Sequence, residues 1–432
     1  MRELAEKVIM QGVDSADPEQ LVKENIDIQG KEIKIGEKTF YRDDYQEIVV
    51  LGIGKASVPM AVGCKKLKPD DGLAISDHES EEDIGPIKVK KADHPYPSQV
   101  NVDASQELLS IVEEKENALF IFLISGGGSA LFTSPVGTIK ISEIKELNEL
   151  LVKSGANIHE INTVRKHLSK VKGGKFGDLC RNKGDLISMV ISDVVGDDLS
   201  IIASGPTYPD SSTYEDAENI LKEYGLWKRV PESIRDHIDE GLKGEVDETP
   251  TELDVDNFLI GNSMVALRAA KRAAAKENLN PMILTSQNQG EAKIVAKSLM
   301  GIAKEIQDTG NPIEPPAAVI LGGETTVDLY SDDTKIGKGG PNRELVLSSA
   351  IEIQDRGNIV VGSVDTDGID GIDKAGAIAD TSTVERCELD PKVHLKNHDS
   401  QTYFEHIGDS IEFDSRTNVN DITIILVEEK EE

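Results

Sequence analysis

Cysteine is scarce in this chain. The three present among 432 residues, Cys64, Cys180 and Cys387, lie far apart and form no CxxC pair. That spacing excludes a disulfide framework or a zinc ribbon and points to a reducing compartment, so a cytoplasmic location is expected. Long apolar runs are missing as well. No stretch reaches the roughly eighteen apolar residues of a membrane-spanning helix, and the opening MRELAEKVIMQGVDSADPEQ has no apolar core of the signal-peptide kind. The eight histidines show no metal-ligand spacing. Basic residues are in short supply: 47 Lys and Arg stand against 79 Asp and Glu, a formal charge of −32. Such a surface repels nucleic acid and anionic lipid, so neither nucleic acid nor a membrane is expected as a partner. The acidic balance accords with life at high ionic strength, where screening removes the self-repulsion. It also means that any site for an anionic ligand must build its own positive patch.

What is present is an alternation of short β-branched runs with helical stretches, the pattern of parallel sheets covered by helices. Glu47 to Gly54, Leu73 to Ser76, Ala118 to Ser125 and Asp185 to Ser192 are nearly all apolar, as strands buried on both faces are. Between Trp227 and Asp256 the chain turns polar and acidic, which reads as a connection between domains. Beyond it NFLIGN, PMILT, AAVILGGE, NIVVGSVDTDG and ITIILVEE read as strands, with helices around Ser263 to Lys276, Gly290 to Ile306 and Asn342 to Ile353. The length is too great for one ordinary core. The expected fold class is therefore α/β, with an N-terminal domain over residues 1–250 and a C-terminal domain over 251–432.

Six segments carry candidate chemistry. In LISGGGSALF an apolar strand runs into Ser125, Gly126, Gly127, Gly128 and Ser129 before a helix start. Glycines there let backbone N–H groups approach an anion; a plain tight turn is the bland alternative. LGIGKAS is a second strand–loop–helix junction with Lys55 at its tip, placed to hold a phosphate as a point charge. It matches neither the P-loop nor the dinucleotide fingerprint. The segment containing INTVRKHLSKVKGGK carries six basic residues, with Arg165, Ser169 and Lys172 at helical spacing, as are Lys166 and Lys170. VISDVVGDDLSIIASGPTYPD sets Asp193 at the carboxyl end of a buried strand, where open α/β sheets bind ligands, with Asp197 and Asp198 as capping candidates. IGKGGPNREL is another Gly-rich basic loop opening a helix, and SVDTDGIDGIDKAGA gathers Asp365, Asp367, Asp370 and Asp373 among glycines. An EF-hand is disfavoured, since the twelfth loop position counted from Asp365 is Gly376 rather than Glu. Together these describe a cleft for a polyanion with a metal, and hence nucleotide or phosphoester chemistry.

In their order GIGKAS, DHPYPS, LISGGGSALF, INTVRKHLSKVKGGK, ISDVVGDDLSIIASGPT, LGGETTV, GKGGPNREL, DTDGIDG and TNVND, the chain resembles the glycerate 2-kinase family with its MOFRL domain. The resemblance implies two three-layer α/β domains with mostly parallel sheets and an active site in the interdomain cleft. It implies transfer of a phosphoryl group from ATP, with Mg²⁺, to the 2-hydroxyl of D-glycerate. Lys55 matches the family's catalytic lysine and Asp193 its catalytic aspartate, the latter acting on the hydroxyl or helping to place the metal. The family arginine that follows GKGG is Pro341 here, and Arg343 is the candidate to supply the guanidinium. The candidate substrate- and nucleotide-binding residues are Ser125, Gly126, Gly127, Gly128, Ser129, Asn162, Arg165, Lys170, Gly339, Gly340, Asn342 and Asp367. A homodimer is a further expectation. Two other readings compete. A hydroxypyruvate reductase would require a dinucleotide fold, and the one candidate turn, GIGKAS, lacks the third glycine and an obvious ribose-binding acid on the next strand. A non-catalytic nucleotide-binding regulator would have no use for both Lys55 and Asp193.

Overall fold

The computed structural model describes residues 1–80, 82, 84–329 and 336–430. The chain divides into two compact units, Pro18–Ile260 and Met1–Asp17 together with Gly261–Glu432. Among the described residues no helix is long and apolar enough to cross a membrane.

The first unit opens with a small antiparallel sheet of β1 (Ile26–Gln29), β2 (Glu32–Ile35) and β3 (Lys38–Tyr41). Its main sheet holds β4 (Glu47–Ile53), β5 (Asp71–Ser76), β6 (Ile87–Lys91), β7 (Ala118–Ile124), β8 (Gly184–Ile191) and β9 (Asp256–Gly261), in the order β6-β5-β4-β7-β8-β9. The pairings from β6 through β8 are parallel. Renumbered within the sheet, this order is 3-2-1-4-5-6, the doubly wound arrangement that reverses direction between its first and fourth strands. Here the reversal lies between β4 and β7, and the chain leaves both at the same edge, through GKAS after one and SGGGS after the other. The strands are apolar along their length because residues on both faces are buried. Phe122 on β7 meets Phe176 at 4.5 Å between ring centroids, and Phe132 stands edge-on to Phe176 at 5.2 Å.

The segment from Trp227 to Asp256 is not the open connection expected. Helix Glu232–Leu242 buries Ile234 and Ile238 in a second core shared with helices Ile141–Ser154, Ile158–His167 and Tyr214–Glu223. NFLIGN, expected to start the second domain, becomes β9 at the edge of the first sheet. The acidic residues that made the stretch look like a linker are the outer faces of this helical cluster.

The second unit holds β10 (Asn280–Glu291), β11 (Ala317–Thr326), β12 (Ile359–Asp365), β13 (Gly376–Asp380), β14 (Ser410–Ile411) and β15 (Asp421–Val427), ordered β10-β11-β15-β12-β13-β14. Mostly parallel pairing describes the first unit and not this one. Only β10 and β11 pair in parallel; β15 lies antiparallel between β11 and β12, and β12–β13 and β13–β14 are antiparallel. The crossover helix Pro341–Ile353 carries the chain from β11 to β12 but leaves a gap one strand wide, and the last strand fills it from the opposite direction. Odd-numbered side chains such as Val361 and Ile425 face the core that includes helices Ala292–Thr309 and Pro341–Ile353. On the other face, a Cβ on Gly362 would meet Ile9 Cδ1 at 2.8 Å, and Ile422 Cδ1 would stand 2.9 Å from a Cβ on Gly12, both in helix Arg2–Asp14. That N-terminal helix is further tied down by Arg2, which ion-pairs with Asp380 and Asp409, while Asp17 pairs with Arg416 at 2.8 Å.

Phe122→Ala empties the centre of the aromatic trio and is expected to cost about 3–5 kcal/mol. Guanidinium unfolding reads this as a lowered midpoint; a loss under about 1 kcal/mol would contradict the packing described.

Candidate active site

The loops after β4 and β7 are knitted together where the sheet reverses. Ser125 donates its N–H to Ile53 O (3.0 Å), Lys55 N–H donates to Gly126 O (2.9 Å), and Ala56 N–H donates to Ser125 Oγ (3.0 Å). Gly54, at φ +113, passes so close that a Cβ on it would stand 2.2 Å from Ser125 Oγ. Ser125 is thus buried and spent on holding the two loops in register. Gly126 makes room of another kind: a Cβ there would lie 2.2 Å from Asp193 Oδ2. Only a glycine lets the carboxylate that follows β8 rest against this backbone. On Gly127 a Cβ would meet the His94 ring at 3.1 Å and Lys55 Cγ at 3.4 Å, while Gly128 faces Ala203. One four-residue turn therefore gathers Lys55, His94 and Asp193. Asp197 and Asp198 lie outside this contact set, and Asp198 Oδ1 caps a local turn by accepting from Ser200 N–H (2.8 Å).

Beside the turn opens a cavity of about 820 Å³, lined by His94 to Pro97, Gly127, Ser129, Ala130, Thr133 to Pro135, residues of helix Ile141–Ser154, and Arg165, Leu168, Ser169 and Lys172. Helical spacing is not what unites the last group. The helix ends at His167, and Gly173 and Gly174, at φ +59 and +80, turn the chain back. Arg165 donates from Nε to Asn148 Oδ1 (2.7 Å). Lys172, only 5% exposed, donates to Ser129 O at 2.6 Å. Burial, and then the Arg165 charge, push the Lys172 amine down to about 7. Burial, followed by Lys55, lowers His94 from its usual range, so the imidazole is neutral at pH 7. The other basic residues of the motif go elsewhere. Lys166 is buried against Asp210 (3.1 Å), Lys175 donates to the Lys166 and Ser169 carbonyls, and Lys170 is exposed and lines neither cavity described. Asn162 accepts from Ser204 Oγ (3.1 Å) and lines a separate hollow of about 680 Å³ with Lys166 and Asp210.

The residues of the second unit form a cluster of their own. The anion cradle expected of IGKGGPNREL is already filled: Asp370 accepts from the N–H groups of Asn342 and Arg343, both at 2.9 Å, at the start of helix Pro341–Ile353. Gly340 permits it, since a Cβ there would collide with that carboxyl, and Gly339 packs on Ser400. Arg343 is fully buried, with Nε on Asp370 (3.1 Å) and further donors on Asp373 and on both residues' carbonyls. This differs from the catalytic role expected of Arg343. Its guanidinium is the post around which the loop from Asp365 to Gly376 is wound, and reaching a ligand would dismantle that loop. Asp367 accepts from Ile369 N–H within the same hairpin. Asn342 Nδ2 donates to Asp421 (2.7 Å), which stands directly opposite Asp365 across β15 and β12. Burial, then the neighbouring Asp367 charge, raise Asp365 to about 8; burial, then Asp365, raise Asp421. Among the described residues no group of three His, Cys, Asp or Glu is arranged to hold a metal ion.

Four residues at the first-unit site escaped the sequence: His94, Tyr96, Lys172 as a cavity wall, and Asp77. The acid said to be missing after the second strand is in fact present. Asp77 follows β5 directly, lies beside His78 at 2.9 Å, and is lowered by His78 and Lys55 against the cost of burial. The signal was there in its position one residue past a buried strand.

A model of a family described as a domain of unknown function (DUF4147) matches residues 4–239, and the MOFRL family model matches residues 317–421. The chain is 40% identical to a glycerate 2-kinase of Pyrococcus horikoshii, covering 100% of this chain and 98% of the relative. It is 37% identical to a D-glycerate 2-kinase of Thermotoga maritima, over 95% and 99%. A relative from Agrobacterium vitis, 38% identical over 88% and 87%, bears a provisional hydroxypyruvate reductase name. The crystal structure of a glycerate kinase from Thermotoga maritima superposes with a TM-score of 0.87 at 35% identity, covering 99% of each chain.

A carboxyl whose folded-state value lies above its unfolded one favours folding while protonated, and that benefit fades as pH climbs through the interval between the two. For Asp365 the interval runs from the ordinary carboxyl range to about 8. Asp421→Asn keeps the shape and the contact with Asn342 but removes one of the two acids. Its melting temperature is expected to exceed that of the unaltered protein at about pH 8 and to approach it near pH 5. Parallel curves across that range would refute the paired burial.

Proposed function

The chain belongs to the glycerate 2-kinase family, and on that premise we propose that the loops around Gly126 and Gly127 are where a phosphoryl group passes from ATP to the 2-hydroxyl of D-glycerate. The observation that carries this is the convergence of Lys55 and Asp193 on a single glycine turn at the reversal point of the first sheet. One is a cation on the loop after β4 and the other a carboxylate after β8, and Gly126 brings that carboxylate into contact with the turn. Open α/β sheets bind their ligands at this point.

In this reading the 2-hydroxyl oxygen attacks the γ-phosphorus, the bond to the bridging oxygen breaks, and ADP departs. Asp193 orients the hydroxyl and accepts its proton. Lys55 holds the transferring group as a mobile point charge, offsetting the negative charge that spreads over its oxygens. His94, kept neutral by burial and by Lys55, adds no competing positive charge. A magnesium ion arriving with ATP supplies further charge neutralisation at the phosphates. Such an ion takes one or two protein carboxylates and leaves its other positions to phosphate and water. Asp193 would hold it.

The reductase reading has specific support in the doubly wound strand order and in Asp77 at the ribose-binding position. Against it, the place of the third fingerprint glycine is Ser57, and Lys55 occupies the turn where a pyrophosphate would need bare backbone.

Incubation with ATP, Mg²⁺ and D-glycerate should give 2-phosphoglycerate and ADP, and NADH with hydroxypyruvate should show no loss of NADH absorbance. A product phosphorylated at the 3-position, or NADH consumption, would reject the assignment. Lys55→Ala and Asp193→Asn should each lower kcat/KM by about 10²–10⁴ with little change in melting temperature. Gly126→Ala should lower kcat comparably by displacing the Asp193 carboxylate. Retention of activity by Gly126→Ala would show that this contact is not part of the reaction.

A further inference from the structure

The 820 Å³ cavity beside the glycine turn contains a combination that the rest of the chain avoids. Elsewhere a buried cation meets a carboxylate: Lys115 lies 2.7 Å from Asp71, Lys166 3.1 Å from Asp210, and Arg343 3.1 Å from Asp370. Arg165 and Lys172 depart from this inside the cavity, as Lys175 does outside it, where it donates to the Lys166 and Ser169 carbonyls. Among the described residues no carboxylate comes within ion-pair distance of Arg165 or Lys172. Arg165 is partnered by the neutral amide of Asn148, and Lys172 only by Ser129 O, Ser129 Oγ (3.3 Å) and Phe132 O (3.4 Å). A chain with 79 acidic residues against 47 basic ones has no shortage of carboxylates to offer. Leaving two cations side by side and desolvated is costly unless an anion completes the site. The remaining charges on the wall do not complete it. Glu149 and Lys153 pair with each other at 3.1 Å on the exposed rim, and Lys145 adds positive charge.

We propose that Arg165 and Lys172 form the receptor for the carboxylate of the acceptor, so that Lys172 makes the enzyme select a 2-hydroxy acid over a neutral alcohol. This rests on the kinase reading above. Three observations favour a carboxylate over the nucleotide's phosphates. A guanidinium beside a lysine head is the chemistry that holds one planar monoanion. With the Lys172 amine near 7, the pair carries between one and two positive charges, too few for a triphosphate. The reach is also right. Ser129, whose carbonyl holds Lys172, is three residues from Gly126, against which Asp193 rests. Since a 2-hydroxyl is bonded to the carbon next to the carboxylate, the two groups must be bound within a few ångströms of each other, and one short turn supplies both.

Calorimetric titration of D-glycerate and, separately, of ADP with Mg²⁺ into the intact protein tests this. Lys172→Met should weaken D-glycerate binding about tenfold or more, the loss of one nearby positive charge in a desolvated site, while ADP binding stays within about twofold. Unchanged D-glycerate binding, or weakened ADP binding in its place, would overturn the proposal. A second measurement on the unaltered protein guards against a folding defect in the variant. Lys172 lines the cavity, and an amine titrating near 7 is largely unprotonated at about pH 8, so a small acylating reagent entering the cavity marks it slowly, and peptide mass spectrometry reads the rate at Lys172 directly. D-glycerate and lactate should protect it, and glycerol and ADP should not. Protection by ADP alone, or by none of the four, would sink the receptor. Protection by D-glycerate in a protein that forms no phosphoglycerate from ATP would leave the receptor standing and reject the reaction.

Discussion

The hydrogen bond from the Lys55 amide to the Gly126 carbonyl is the contact on which the proposed site depends. It joins the loops of two strands, β4 and β7, that are neighbours in the sheet but separated in sequence by two further strands and a long helix. Two more hydrogen bonds, both through Ser125, and the close approach of Gly54 to Ser125 make the junction rigid. Everything chemically relevant in the first unit is set by reference to that junction: the lysine at its tip, the carboxylate resting on Gly126, and the imidazole against Gly127. The side chains are ordinary. What is unusual is the absence of side chains at three successive positions, which lets two backbones and a carboxylate occupy the space of one loop.

Electrostatics explains how such an acidic chain can still gather anions. The positive groups are not spread over the surface to soften the charge of −32. Several are withdrawn and neutralised inside, as in Lys166 with Asp210 and Arg343 with Asp370. A few are withdrawn and left without a counterion along one wall, where low local dielectric makes each of them felt at short range. Water and salt screen the exposed acidic residues over roughly a Debye length, so the far field of the molecule does little to oppose a ligand once it has entered the cavity.

Where the sequence could be read and where it could not follows from the range of the interactions. Buried parallel strands are continuous apolar runs, so β4, β7 and β8 were legible, and with them the loop positions of Lys55, the glycines and Asp193. A basic glycine loop before a helix also reads correctly as an anion cradle. Nothing local reveals that its anion is Asp370, brought from the hairpin that follows the next strand, and Arg343 was misjudged for that reason. The strand order of the second sheet escaped for a similar cause, because a pattern of residues says little about which gap a final strand will fill. The segment after Trp227 looked like a linker since its charges are outside and its few apolar residues, among them Ile234 and Ile238, meet partners far along the chain. His94 sits in a proline-rich stretch without periodicity, and Lys172 lies past the end of its helix, so only the folded chain shows what they face.

The docking of helix Arg2–Asp14 against β12 and β15 has a consequence for how the protein is made. Helix Arg2–Asp14 is synthesised before residues 18–260, yet it belongs to the unit whose strand Asp421–Val427 is made only after them. Residues 18–260 have a complete sheet and two cores of their own and can fold while synthesis continues. The amphipathic N-terminal helix must meanwhile keep Ala5, Val8, Ile9 and Val13 uncovered, since the strands that bury them do not yet exist. The time between its emergence and the arrival of Asp421–Val427 is therefore the period in which this protein is most exposed to chaperones, proteases and aggregation.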